Sequence, residues 1–330
     1  MIDFRYHVVS LVSVFLALAV GIVLGAGPLN EGISTGITDQ VRQLTQSRDQ
    51  LRAERDQALT TGEAQDAWAE AVSPALVDGQ LAGRAVAVVE LPGADSGQAD
   101  AVVEALLAAG GTVSARVTVQ DEWTAEEGEQ ARRGAAEQLA ARPGEASAPA
   151  PAQDGSGEGA GDGSAEVLAA ALARALVTPD LAQTVVADPA TGEVLAALGD
   201  AGLVEVDGDV TERGTLALVV AGAGDPDTSE AQAEVEAAAW DALARQLDGA
   251  SAGAVVAGPT QVGESTGAVA AVRADSDLAD RVSTSDDVDS AVGRVNAVLA
   301  LREQLSGGAG HYGTTASATA VAPPLPQVAR

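Results

Sequence analysis

Several stretches of this chain place chemically capable side chains together. Gly263-Glu264-Ser265-Thr266-Gly267 fits G-x-S-x-G, in which a serine sits on a sharp turn between a strand and a helix. Here Pro259 to Val262 separate the motif from the preceding apolar run, and a strand-like run follows. A serine nucleophile also needs a histidine base, and His311 alone lies downstream. A surface turn is therefore expected, not a nucleophile. Gly222-Ala223-Gly224-Asp225 lies between a strand and a helix, where an open α/β sheet binds ligands. The chain has neither G-x-G-x-x-G nor G-x-x-x-x-G-K-[ST], so a plain loop connection is expected.

Carboxylates and imidazoles come next. Asp286, Asp287 and Asp289 open a helical run, where negative charge complements the helix dipole and caps free N–H groups. A hard-cation site is the alternative there. Asp154, Glu158 and Asp162 have oxygen ligands for calcium, but their spacing is not that of an EF-hand loop. His7 and His311 are the only histidines and are expected to act separately, one interfacial and one in a solvated tail. No catalytic, cofactor-binding or metal-ligating residue is assigned.

Composition narrows the chemistry further. The chain has 330 residues and no cysteine, which excludes disulfides, zinc–thiolate sites and thiol catalysis. Its 18 basic residues are all arginine, which excludes lysine Schiff bases and the P-loop lysine. The net charge of −30 repels phosphate backbones, so nucleic acid is not an expected partner. Apolar residues at 46% suffice for a full core.

The elements that must position these residues start with an apolar segment. Val8 to Ala26 is 19 residues without a charge. At 1.5 Å per residue that is about 28 Å, the hydrocarbon thickness of a bilayer. It exceeds the usual signal-peptide apolar run of about 7–15 residues. An uncleaved anchor is expected, with a signal peptide as the alternative, since Gly25, Ala26 and Gly27 are small enough for cleavage. Arg5 precedes the span and the next basic residue is Arg42, which orients the N-terminus to the cytoplasm and the rest outside.

After Pro28 and Gly32 mark a turn, a long polar helix is expected from Ile37. Ile37, Val41, Leu44, Arg48, Leu51, Arg55 and Ala58 follow alternating spacings of four and three, a heptad seam with arginine at two core positions. The seam fits a short coiled coil that self-associates through residues 33–67; a single solvated stalk is the other reading.

From Arg84 strands and helices alternate. Strands are expected at Arg84–Leu91, Thr112–Val119, Thr215–Ala221, Ala252–Ala257 and Gly267–Arg273. Helices are expected at Asp95–Ala109, Thr124–Ala141 (with a Thr124/Glu127 capping box), Ala165–Leu176, Gly192–Ala201, Ser229–Leu247 and Asp286–Leu305. The alternation implies α/β architecture: an open, mainly parallel sheet between two helix layers. Residues 143–163 form a Pro/Ala/Gly/acid tract expected to be a disordered insertion. The expected organisation is an anchor over 1–29, a helical stalk over 30–75, an extracytoplasmic α/β domain over 76–306 and a Gly/Ala/Pro tail over 307–330.

Particular stretches carry a family likeness. Arg5-Tyr6-His7-Val8-Val9-Ser10 and Val14 to Gly25 begin it. Gly110-Gly111-Thr112-Val113 and Val219-Val220-Ala221-Gly222-Ala223 follow. The longest run includes Arg273-Ala274-Asp275, Val282-Ser283-Thr284-Ser285-Asp286-Asp287-Val288-Asp289, Gly293-Arg294-Val295 and Leu299-Ala300-Leu301; Tyr312-Gly313-Thr314 and Pro323 close it. In these the chain resembles the actinobacterial MctB family of copper transport outer-membrane proteins, and an arginine-rich, lysine-free composition suits such a source. The resemblance implies a cell-envelope role in copper transport or homeostasis, a pore-forming capacity, copper ion as cargo, and no catalytic positions. The residues themselves disagree with a barrel or a soft-metal site. Seven aromatics cannot form the two girdles of a membrane barrel. Cu(I) prefers thiolate or thioether ligands, and the chain has no cysteine and one methionine, Met1.

Overall fold

The computed structural model describes residues 4–25, 29–141, 163–182, 184–225, 227–260 and 267–325. Two compact units divide the chain, Met1–Gln65 and Asp66–Arg330. The first begins with α1 (Phe4–Gly25), an apolar helix with no buried residue. Its length and hydropathy are sufficient to cross a membrane. The second helix, α2 (Leu29–Val77), runs through Gly32, so the helix does not break there; Pro28, the other residue of the expected turn, lies outside the described residues. Val41, Leu44, Leu51 and Leu59 on α2 are each more than half exposed.

The second unit takes the end of α2 and then alternates as expected. In order it has β1 (Ala85–Glu90), α3 (Ser96–Ala108), β2 (Thr112–Val119), α4 (Glu129–Ala140), α5 (Ser164–Leu176), β3 (Val185–Val186) and α6 (Pro189–Asp200). Then come β4 (Val204–Val206), β5 (Glu212–Arg213), β6 (Leu216–Val220), α7 (Glu230–Ala250) and β7 (Ala254–Ala257). The last elements are α8 (Ala268–Ala274), α9 (Ser276–Ala279), β8 (Ser283–Ser285), α10 (Ala291–Gln304) and β9 (His311–Tyr312). Seven strands form one sheet in the order β4-β2-β1-β6-β7-β8-β9. All neighbours are parallel except β4 against β2.

Strands buried on both faces explain the continuous apolar runs in β1, β6 and β7. Alternate β1 residues feed opposite cores. Ala87 and Val89 pack with α5, α6 and α7, while Val86 and Val88 pack with α3, α10 and the end of α2. This is the three-layer α/β fold. The crossovers through α3, α7 and α8–α9 share one hand. The α10 crossover from β8 to β9 has the opposite hand, because α10 lies on the other face while the strand order continues outward.

Four sequence readings are corrected. Gly267–Arg273 is not a strand: Ala268, Ala271 and Val272 fall at helical spacing and bury one face of α8. Thr124 does not cap a helix. Two short 3₁₀ turns, Asp121–Trp123 and Glu126–Gly128, precede α4, and neither makes a side-chain cap. Arg132 instead donates to the carbonyls of Glu122 and Ala125 at 2.6 and 2.7 Å. The last long helix starts at Ala291 with Ser290 as its cap, so Asp286, Asp287 and Asp289 lie before it. Finally, His311 does not lie in a solvated tail: the tail supplies β9, where His311 is half-buried and Tyr312 is 4% exposed. The motif around Ser265 and the acids Asp154, Glu158 and Asp162 lie outside the described residues, as does all of the expected 143–163 insertion except Gly163.

Candidate functional site

A dense, buried polar construction lies around the carboxyl ends of β7 and β8 and the strand β9. Strand β8 reads Ser283-Thr284-Ser285, and all three are fully buried. A buried polar strand must find partners for its hydroxyls. Arg273, at the end of α8, supplies the largest one. Its guanidinium donates to Thr284 Oγ1 at 2.8 Å, Asp286 Oδ2 at 2.8 Å, Ser317 Oγ at 2.9 Å, Thr315 Oγ1 at 3.0 Å and the Tyr312 carbonyl at 3.1 Å. The Arg273 and Asp286 side chains are 6% and 5% exposed.

Asp286 also accepts from the Thr314 N–H at 2.8 Å and from Thr315 Oγ1. Burial pushes its carboxyl up, but the bonds from Thr315, Arg273 and Thr314 outweigh that and hold it below the usual carboxylate range. Gly313 has φ of +137°, and a Cβ there would overlap the Asp286 carboxylate, so only glycine lets the segment after β9 close on this pair. Asp287, 3% exposed, behaves oppositely. Burial, then the charges of Asp286 and Asp289, push it up to about 6, although Ser285 Oγ donates to it at 3.3 Å. Asp289 accepts from the Thr260 N–H at 2.9 Å and ties the β7 loop to the same corner. A cation site formed by these acids finds no support: Asp286 faces a guanidinium and Asp289 faces an N–H.

His311 sits on β9 with Nδ1 3.0 Å from Thr284 Oγ1. Arg273 Nε–H already donates to that oxygen. The same hydroxyl bonds to Nδ1, as donor or acceptor according to the tautomer of the ring. Burial, followed by the Arg273 charge, lowers the His311 pKa and so favours the neutral ring. A hydroxyl beside a neutral imidazole has the makings of an activated nucleophile. Thr284 is 0% exposed, however, so no substrate reaches it. The contact closes the strand pair and is not a solvated tail histidine.

The other expected places hold less. At the switch point between β1 and β6, Leu91 N–H donates to the Val220 carbonyl at 2.8 Å. A Cβ on Gly222 would overlap the Gly93 backbone. Backbone thus packs on backbone where an open α/β sheet would seat a dinucleotide. Glu90, buried at the end of β1, is paired with Arg116, which also reaches Asp100 at 2.6 Å. Among the described residues no group of three or more His, Cys, Asp or Glu is placed to hold a metal ion. Soft donors for Cu(I) are missing from the whole sequence apart from Met1.

Sequence reasoning found Asp286, Asp287 and His311 but assigned them separately. It missed Arg273 as the hub and β8 as a strand. The signal for β8 was short: three hydroxyl residues preceded by Val282 and followed, after Asp286 and Asp287, by Val288, both valines buried.

Fold and site together define a three-layer α/β domain that follows an apolar helix and a long polar helix, with a buried, hydrogen-bonded set of polar residues at the sheet edge. Comparison with known proteins gives this a family. The family profile described as "Copper transport outer membrane protein, MctB" matches residues 1–323. The copper transporter MctB of Mycobacterium tuberculosis (strain ATCC 25618 / H37Rv) is 31% identical over 323 residues, 97% of this chain and 99% of that protein. The protein of the same name from Mycobacterium leprae (strain TN) is 30% identical over 329 residues, 98% of this chain and 100% of that one. The chain belongs to the MctB family.

Proposed function

We propose that the chain is a membrane-anchored envelope protein that takes part in copper transport or homeostasis without catalytic chemistry. In this reading α1 spans the membrane with its N-terminus in the cytoplasm. Residues 30–75 act as a stalk, and the α/β domain from residue 76 onward lies outside. Copper is cargo, not a resident ligand, because the ectodomain brings only His311 toward a soft ion, and one imidazole, its Nδ1 already against Thr284, is too few donors for such a site. Any passage for copper then runs through an assembly of copies.

The observation that carries the reading is α1: 22 residues of high hydropathy, none buried, inside the segment matched by the family. The test is protease added to intact spheroplasts. Digestion of residues 30–330 with α1 left in the membrane fraction supports the topology; full protection of those residues contradicts it.

A second reading has its own observation. Val41, Leu44 and Leu51 form an exposed apolar line on α2. Such a line fits a coiled-coil scaffold or sensor that presents the α/β domain to a partner with no direct part in metal handling.

A further inference from the structure

We propose that the edge strand β4 and the groove beside it bind an extended, basic peptide segment by β-augmentation. β4 ends the large sheet and pairs with β2 alone. In that antiparallel ladder Gln120 N–H donates to the Leu203 carbonyl at 3.0 Å and Asp207 N–H to the Arg116 carbonyl at 2.9 Å. Residues 203, 205 and 207 therefore point their backbone groups at β2. Val204 and Val206, in between, point theirs away from it. Among the described residues no backbone group bonds to them from the outer side. An unpaired row of this kind is a template for another strand.

A groove of about 620 Å³ runs along this edge. Its walls are the second half of α6, β4 and the turn from Gly208 to Thr211. Leu195, Val204, Val206 and Val210 give it an apolar floor, and Asp200 and Asp209 stand on its rim. Recognition by strand addition needs these two parts: backbone groups for affinity and pockets for alternate side chains. Charge chooses the occupant. A second copy would bring net charge −30 to this acidic rim, which opposes β4-to-β4 pairing. An extended segment with alternating apolar residues and arginine or lysine meets both the floor and the rim. The proposal is independent of the copper reading.

The test uses the full chain in detergent and two labelled hexapeptides, one alternating Val and Arg, the other alternating Val and Glu. Fluorescence polarisation reads binding at 150 mM salt, which screens diffuse attraction. The key variant is Val206→Pro. The Val206 N–H does not serve the β2 ladder, so proline removes an outward donor on an edge strand that tolerates it. Circular dichroism checks that the variant is folded. We expect the Val/Arg peptide to bind, the Val/Glu peptide to fail, and Val206→Pro to weaken binding at least tenfold. Asp200→Asn with Asp209→Asn should weaken it in the same direction, which gives a second reading should the proline variant misfold. The proposal is overturned by no binding, by equal binding of both peptides, or by full binding to the folded Val206→Pro chain. It is also overturned by a concentration-dependent dimer that Val206→Pro dissolves, since the occupant would then be a second copy.

Discussion

Replacing Arg273 by methionine removes the cation from a closed site and leaves its anion in place. Arg273 and Asp286 are 2.8 Å apart and nearly inaccessible. At an effective dielectric constant of 20 that separation corresponds to roughly 6 kcal/mol of attraction. Desolvation offsets several kcal/mol for each ion, so the intact pair is worth little net against an apolar replacement. Removing one partner is different, because it exposes the uncompensated cost of the other: about 3–5 kcal/mol. Asp286 keeps the bonds from Thr314 and Thr315, which works toward the lower end, while Thr284 and the Tyr312 carbonyl lose a donor, which works toward the upper end. Urea unfolding of the full chain in detergent measures this through Trp123 and Trp240, both buried in the α/β unit. With m near 3 kcal/mol/M, the midpoint of Arg273→Met should fall by about 1–1.7 M. The double variant Arg273→Met/Asp286→Leu should recover at least half of that fall. A single variant within about 1 kcal/mol of wild type, or a double variant no better than the single, refutes the reasoning.

Two further outcomes follow from the same structure. Asp287 and Asp241 are both pushed up to about 6, chiefly by burial, and Asp241 Oδ1 has no hydrogen-bond partner. A carboxyl raised in the folded state stabilises it while protonated, so stability falls as pH rises from 4 to 7, by up to about 3 kcal/mol per group. Asp286, held low, acts in the opposite sense and only below the usual carboxylate range. His311, also lowered, opposes the two aspartates between pH 5 and 7.5, but equally in wild type and variant. Urea midpoints at pH 5 and 7.5 should therefore show that Asp287→Asn loses less stability on going to pH 7.5 than the wild type does; an unchanged slope in the variant rejects the assignment. For the stalk, Leu44→Asp with Leu51→Asp should shift the full chain toward monomer in analytical ultracentrifugation, because both leucines line the exposed seam of α2. A wild-type chain already monomeric contradicts self-association through residues 33–67.

The sheet was legible wherever strands are buried on both faces. Val86–Val89, Leu216–Val220 and Ala254–Ala257 could only be read one way, and the helices between them followed with caps at Asp95 and Ser229. Legibility failed where tertiary contacts override local pattern. The Ser283–Ser285 strand hides its polarity by bonding to Arg273, Asp287 and Gln304. Gly267–Arg273 carries β-branched residues yet coils, because alanine at 268, 270, 271 and 274 favours a helix that buries Val272. The Gly/Ala/Pro tail shows little periodicity, and its one Phe, Trp or Tyr is Tyr312, which donates its hydroxyl to Glu303 and fills the space beside α10. The site was half visible. Its acids and its histidine stood out by type, but their partner Arg273 could not be paired with residues 11 to 44 positions away without the fold.

The most direct measurement is the copper content of cells that lack this chain, with the gene restored in two forms. One form is the full chain. The other carries Leu11→Arg and Leu18→Arg, which put charge into α1. Cells are loaded with copper, washed, and assayed for total copper by mass spectrometry. The account predicts that the deletion changes retained copper, that the full chain restores it, and that the charged-helix form does not. Equal copper in the deleted and restored cells, or full restoration by the form that cannot span the membrane, contradicts it.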